Sequence, residues 1–279
     1  MASVTGRIKD IKQPKGGYIK PSEFETIAFK DGTIMNPVEN IHGALIGMVT
    51  DYLTRFITGT ELNDAFHISL MGAILAEKLG KKDASSISIN LLKNIKGLDS
   101  NSIINACKLV TFDAWLRNPL GAALAKDYND INPDQATIEN IQTLVKRSIT
   151  FFEKYGPITK DGFDFGPEKP DKELFSKMKM TKKGSYGGYT AIVDSGDGDF
   201  LTNDTLWDFK VIKSKPTSKH TLQLLMYWIM GKHSGQNIFK GITKIGIFNP
   251  RLNIVYLLDM STVSEDIIKT VEQDVICYE

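Results

Sequence analysis

Cysteine is scarce in this chain: Cys107 and Cys277 are the only two, and they lie far apart. Two cysteines without close spacing exclude a disulfide framework and a cysteine-built zinc site. No stretch approaches the roughly 20 apolar residues that a membrane-spanning helix needs. The opening residues MASVTGRIKD hold no apolar run of the signal-peptide kind. These absences predict a cytoplasmic protein in a reducing compartment, with no membrane partner. An excess of either charge is missing as well, since 34 Lys and Arg face 33 Asp and Glu for a net charge of +1. Contact with nucleic acid therefore has to come from local patches, not from bulk charge. Two lysine runs qualify: Lys177, Lys179, Lys182, Lys183 and Lys210, Lys213, Lys215, Lys219. Either run on its own also reads as solvated surface.

With 279 residues, 42% apolar, the chain is long enough to bury a sizeable core without staples. Turn-forming residues crowd the first 37 positions (Pro14, Gly16, Gly17, Pro21, Gly32, Pro37), which predicts irregular structure with a short strand near Thr26–Lys30. From Val38 to Tyr155 the apolar spacing is helical. Helices are expected over 38–57, 62–79, 83–95, 102–126 with an interruption at Pro119, and 136–155. Asp83 is the expected N-cap of the third. Gly, Pro, Asp and Lys dominate 156–183, which reads as a loop or linker. After Gly184 the expected order is βββαββα. The domain reading is 1–60 for an irregular start and a first helix, 61–183 for a helical segment and linker, and 184–279 for a compact core.

The informative stretch is Gly196–Lys213, GDGDFLTNDTLWDFKVIK. Two strand-like runs flank Asn203-Asp204, a plausible turn pair. That turn sets Leu201 opposite Leu206, Phe200 opposite Trp207 and Asp199 opposite Asp208. Strand alternation then places Asp197, Asp199, Asp208 and Lys210 on one face and Phe200, Trp207, Phe209 and Val211 on the other. The aromatic face is the expected core face, with the charged face open to a cleft. Directly opposed residues have Cβ atoms about 4.5–5.5 Å apart, and two like charges there repel. A divalent cation between them reverses that sign. Oxygen ligands alone suit Mg²⁺ or Mn²⁺. Lys210, two residues past Asp208, points to the same place, where an ammonium can stabilise charge on an attacked phosphate.

Asp199, followed after a turn by Asp208-Phe209-Lys210, resembles the Asp…(Asp/Glu)-X-Lys signature of PD-(D/E)XK nucleases. Gly196-Asp197-Gly198-Asp199 is similar to the Gly-X-X-Asp of the RecB-like exonuclease branch. Gln223 and Tyr227, on the following helix, are similar to its Gln-X-X-X-Tyr; the i, i+4 spacing puts both on one helix face, which His220 shares. The resemblance covers roughly 187–260, with 38–58 as a further segment. It implies an α+β (α/β) fold with a restriction-endonuclease-like αβββαβ core, the helix near Val38 supplying the first α, and a large, mainly helical segment inserted before the rest. It implies Mg²⁺ or Mn²⁺ held by Asp199, Asp208 and the Phe209 carbonyl, with Lys210 as the catalytic lysine. Gln223 and Tyr227, with His220 and Lys213, would brace the site or touch substrate. The branch's upstream histidine has its nearest match in His42, a further metal ligand by this resemblance; here the preceding glycine, Gly32, stands ten residues away instead of close by. The implied activity is phosphodiester hydrolysis with DNA as partner. The alternatives are a silent nuclease-fold module that binds nucleic acid or, through its helical segment, a protein, and a hairpin whose acids are surface charge.

Overall fold

The computed structural model describes residues 2–279. The main elements in chain order are α1 (Val4–Asp10), β1 (Glu25–Ala28), α2 (Gly43–Ile57), α3 (His67–Lys78), α4 (Ala84–Lys93), α5 (Ser100–Leu109), α6 (Gln135–Tyr155), β2 (Lys160–Asp164), α7 (Lys172–Thr181), β3 (Asp197–Leu201), β4 (Thr205–Phe209), α8 (Ser218–Ser234), β5 (Lys244–Asn249), β6 (Ile254–Asp259) and α9 (Glu265–Thr270). The fold is mixed α/β, as the α+β reading expected. The chain separates into two compact units: residues up to Phe29 together with Phe152–Glu279, and Lys30–Phe151. None of the described helices is long and apolar enough to cross a membrane.

The first unit is built on a six-stranded sheet of order β1-β6-β5-β4-β3-β2. Within this sheet, β4 and β5 are the parallel pair among the described residues; every other neighbouring pair is antiparallel. A parallel pair needs a crossover, and α8 supplies it. β4 therefore lies inside the sheet, and Thr205 to Asp208 are all buried. On one face, Trp207 stacks on Phe200 with ring centroids 6.4 Å apart and meets Tyr155 edge-on at 5.2 Å. Phe200 packs on Phe152 at 5.1 Å, so the last turn of α6 lies against this face. Trp207 also pairs with Gly246 across β4 and β5, where an added Cβ would sit 2.3 Å from the indole ring. On the other face, Leu201, Leu206, Ile245 and Ile247 form one core with Leu222, Leu225 and Tyr227 of α8.

The second unit is helical. An extended strap before α2 is laced to α6 by polar side chains: Asp31 to Arg147 at 2.6 Å, Asn36 N–H to Asn140 Oδ1 at 2.8 Å, and Asn40 N–H to Thr137 Oγ1 at 3.1 Å.

Several expectations change. The loop read over 156–183 contains β2 and α7. β2 is a sheet edge whose pairing with β3 comes from distant residues, and Asp171 caps α7 by accepting from Glu173 and Leu174 N–H. Residues up to Phe29 and 152–183 accordingly group with the sheet and not with the helical segment. The helix expected from Val38 begins at Gly43, because the strap's ties to α6 hold Asn36 and Asn40 in a non-helical path. It lies wholly in the helical unit, as does α6 up to Phe151; only the last turn of α6 groups with the sheet that follows it in the chain. Asp83 occupies the N-cap position of α4, but with left-handed backbone (φ 57°) and no capping bond from its side chain. The helix expected over 62–79 breaks at Phe66, whose ring is fully buried.

Candidate functional site

β3 and β4 form the expected hairpin: Phe200 opposes Trp207 and Leu201 opposes Leu206. Thr202 N–H donates to the Thr205 carbonyl across the turn at 3.0 Å, and Thr202 Oγ1 accepts from the Trp207 indole N–H at 3.0 Å. At the open end a side chain takes over from the ladder. Asp199 Oδ2 accepts the backbone N–H of Phe209 at 2.6 Å.

Asp208 points to the α8 side of the sheet. Its Oδ1 accepts from Lys210 Nζ at 2.9 Å. Its Oδ2 is buried and has no hydrogen-bond partner among the described residues. A buried carboxylate oxygen without a donor costs a few kcal/mol unless something positive stands beside it. The charged face is thus open only in part: Asp208 is 3% exposed, with α8 packed on its side of the sheet, whereas Asp199 and Lys210 are half-buried and Asp197 is exposed. The expected mutual repulsion of Asp199 and Asp208 is opposed by Lys210 on one carboxylate and the Phe209 N–H on the other.

The electrostatics follow from this packing. Burial works against the Lys210 charge, but Asp208 and Asp199, with Asp197 behind them, outweigh it and raise its pKa above the usual lysine range. Tyr227 Oη accepts from Gln223 Nε2 at 2.8 Å, so the Gln-X-X-X-Tyr pair is joined on one helix face. Burial, then the Asp208 charge, pushes the Tyr227 hydroxyl far up, keeping it protonated. His220 Nδ1 accepts the Thr217 N–H at 3.0 Å, which places the neutral ring's proton on Nε2. Burial, then the neighbouring Lys210 charge, lowers the His220 pKa. Asn249, fully buried on β5, donates to the Ile212 carbonyl at 2.8 Å and pins the chain just past Lys210.

Asp199, Asp208, Lys210, Gln223, Tyr227 and His220 thus gather around the hairpin end and the first turns of α8. Lys213 lies exposed on the connection between β4 and α8. His42 is in the helical unit, where its Nδ1 accepts the Ala44 N–H at 3.2 Å and caps α2. Among the described residues, no cluster of three or more His, Cys, Asp or Glu side chains is arranged to hold a metal. The nearest arrangement is two carboxylates and a lysine. Asn249 escaped sequence analysis because nothing local marks it; its role comes from the parallel pairing of β4 and β5.

No protein-family description matches this chain, and neither the curated proteins nor the solved structures offer a match.

Proposed function

We propose that this protein is a metal-dependent nuclease of the PD-(D/E)XK type, acting on phosphodiester bonds of DNA at the hairpin end formed by Asp199, Asp208 and Lys210. The observation that carries this reading is Asp208 Oδ2, a buried carboxylate oxygen with no donor, on a residue that shares its surroundings with a second carboxylate and an ammonium. An oxygen-only donor set of this kind fits Mg²⁺ or Mn²⁺. The ligands would be Asp208, Asp199 and the Phe209 carbonyl; the reading needs no ligand from His42. Bound there, the ion would make water nucleophilic near neutral pH and neutralise charge on the leaving oxygen.

The chain's own residues supply the rest. Lys210 carries a fixed positive charge next to Asp208 and, once turned toward substrate, would stabilise charge building on a non-bridging phosphate oxygen. Asp199 anchors the Phe209 backbone, which sets the start of the Lys210 segment. Gln223 and Tyr227 form a neutral wall on α8. The order α6, β2, β3, β4, α8, β5 also supports the reading: an antiparallel meander, a crossover helix and a strand parallel to the last of the three. With α7 taken as an insertion between β2 and β3, this order is consistent with an αβββαβ core, α6 taking the place expected for the helix near Val38.

A second reading has its own observation. Lys210 already pairs with Asp208, and among the described residues only two carboxylates converge there, which fits a module that binds without cutting. Incubation of the purified chain with supercoiled and linear DNA in Mn²⁺ separates the two. The nuclease reading expects cleavage that Asp208→Asn and Lys210→Met each reduce at least a hundredfold while far-ultraviolet circular dichroism is unchanged. DNA binding without cleavage by the wild type supports the silent module and sinks the nuclease.

A further inference from the structure

The N-terminal loop and the connection between β4 and α8 are about two hundred residues apart in sequence, yet they meet at the first turn of α8. Gly17, with φ +98°, lies so close to Ser218 that a Cβ added there would sit 2.6 Å from the Ser218 Cβ. Thr221 Oγ1 donates to the Ile19 carbonyl at 2.7 Å. Gly17 N–H closes a turn on the Pro14 carbonyl at 2.9 Å, and the aliphatic stem of Lys20 lies over Gly16. The contact is therefore a fixed, tightly turned junction.

Its charge is one-sided. Residues 12–20 contain Lys12, Lys15 and Lys20 and no Asp or Glu; residues 211–219 contain Lys213, Lys215 and Lys219 and no Asp or Glu. All six lysines are exposed. Among the described residues, the ammonium groups of Lys12, Lys15, Lys20, Lys215 and Lys219 pair with no carboxylate. In a chain of net charge +1, this is a local concentration of positive charge held in place by two segments. It borders the candidate site, because His220, two residues after Ser218, feels the charges of both Lys210 and Asp208. The one aromatic residue in either segment, Tyr18, is half-buried against the core, and a single such ring offers no row of faces for stacking successive bases.

We infer that this two-segment lysine rim grips the phosphate backbone of a nucleic-acid duplex and leads it to the hairpin end. The choice of polyanion rests on the nuclease reading above. Lysines without an aromatic platform bind backbone charge independently of sequence. The rim's contribution should thus appear as salt dependence and as KM, with kcat little changed.

The test compares three proteins for binding a short DNA duplex in EDTA across a salt series, and for cleavage in Mn²⁺. They are the wild type, Lys12→Ser/Lys15→Ser/Lys20→Ser, and a control with equal charge loss, Lys78→Ser/Lys82→Ser/Lys93→Ser in the helical unit. Each phosphate contact contributes about 0.9 to the slope of log K against log salt, so the rim variant should lose about 2 to 3 from that slope and the control none. A rim variant with the wild-type slope and wild-type KM overturns the inference, as does a control that loses as much. The two readings fail separately: cleavage by the wild type with a rim-independent slope removes the rim and keeps the nuclease, whereas rim-dependent binding without any cleavage removes the nuclease and keeps the rim.

Discussion

Lys210, one residue past the end of β4, pairs with Asp208 on that strand, and the lysine satisfies only one of the two carboxylate oxygens. The two partners are therefore not equivalent. Removing the lysine leaves a buried carboxylate with no counter-charge, whereas neutralising the aspartate leaves a lysine that is partly exposed and can reach water. Lys210→Met should destabilise the protein by about 3 kcal/mol and Asp208→Asn by less than about 1 kcal/mol. Added Mn²⁺ should raise the melting temperature of Lys210→Met more than that of the wild type, because a cation replaces the lost ammonium. Equal destabilisation by the two substitutions would contradict the buried pairing.

The same pair sets a pH dependence. The Lys210 pKa in the folded protein is raised above its ordinary 10.5. Its stabilising share is then complete below that value and is lost as pH rises through the folded value. Denaturant midpoints measured between about pH 9 and pH 12 should fall more steeply for the wild type than for Lys210→Met. Parallel curves would show that Lys210 gains nothing on folding.

Asp199 accepts a backbone N–H at 2.6 Å, a charge-assisted bond that the neutral amide oxygen of an asparagine would make more weakly. Asp199→Asn should lower the metal-free melting temperature, at a cost of about 0.5–1.5 kcal/mol, and abolish stabilisation by Mn²⁺. Asp164→Asn, on the edge strand β2, should leave the metal response intact. A higher metal-free melting temperature for Asp199→Asn would mean that repulsion dominates after all.

Trp207 and Gly246 are complementary across β4 and β5, since the indole fills the space a Cβ would take. Gly246→Ala should cost about 1–3 kcal/mol through overpacking. Trp207→Leu makes room, so adding Gly246→Ala to it should cost much less than in the wild-type background. Strict additivity in that double-mutant cycle would argue against the contact.

In the helical unit, Asp113 is fully buried and accepts from Tyr52 Oη at 2.6 Å and Ser69 Oγ at 2.5 Å. Burial raises its pKa despite those bonds. The unfolded carboxyl ionises near its ordinary 3.8, so stability is greatest below that pH and declines as pH rises through the folded value. Asp113→Asn should remove that decline, read as the pH dependence of the denaturant midpoint between about pH 3 and 7. An unchanged profile would assign the pH dependence to other groups.

The hairpin register was legible in the sequence, because alternation with a two-residue turn leaves one pairing that keeps Trp207 and Phe200 together. A helix starting at Ser218 was legible too; expected to end at Met230, it runs to Ser234, where the left-handed backbone of Gly235 (φ 73°) stops it. Gln223 and Tyr227 were expected together from their i, i+4 spacing, and they hydrogen-bond. What the sequence determined by itself is therefore local: period and turn, each a property of residues within one or two turns of each other.

Tertiary structure decided the rest. β2 sits in a stretch of Gly, Asp and Lys that has no strand signal, and it forms because β3 offers an unpaired edge. Pairing β4 parallel to β5 made α8 a crossover, and α8 closed over the face that carries Asp208. A strand's alternation can say that Asp208 and Trp207 face opposite ways, but burial on each side depends on what packs there. That is set by residues far away in the chain: the last turn of α6 covers Trp207, α8 covers Asp208, and the N-terminal loop lies against Ser218.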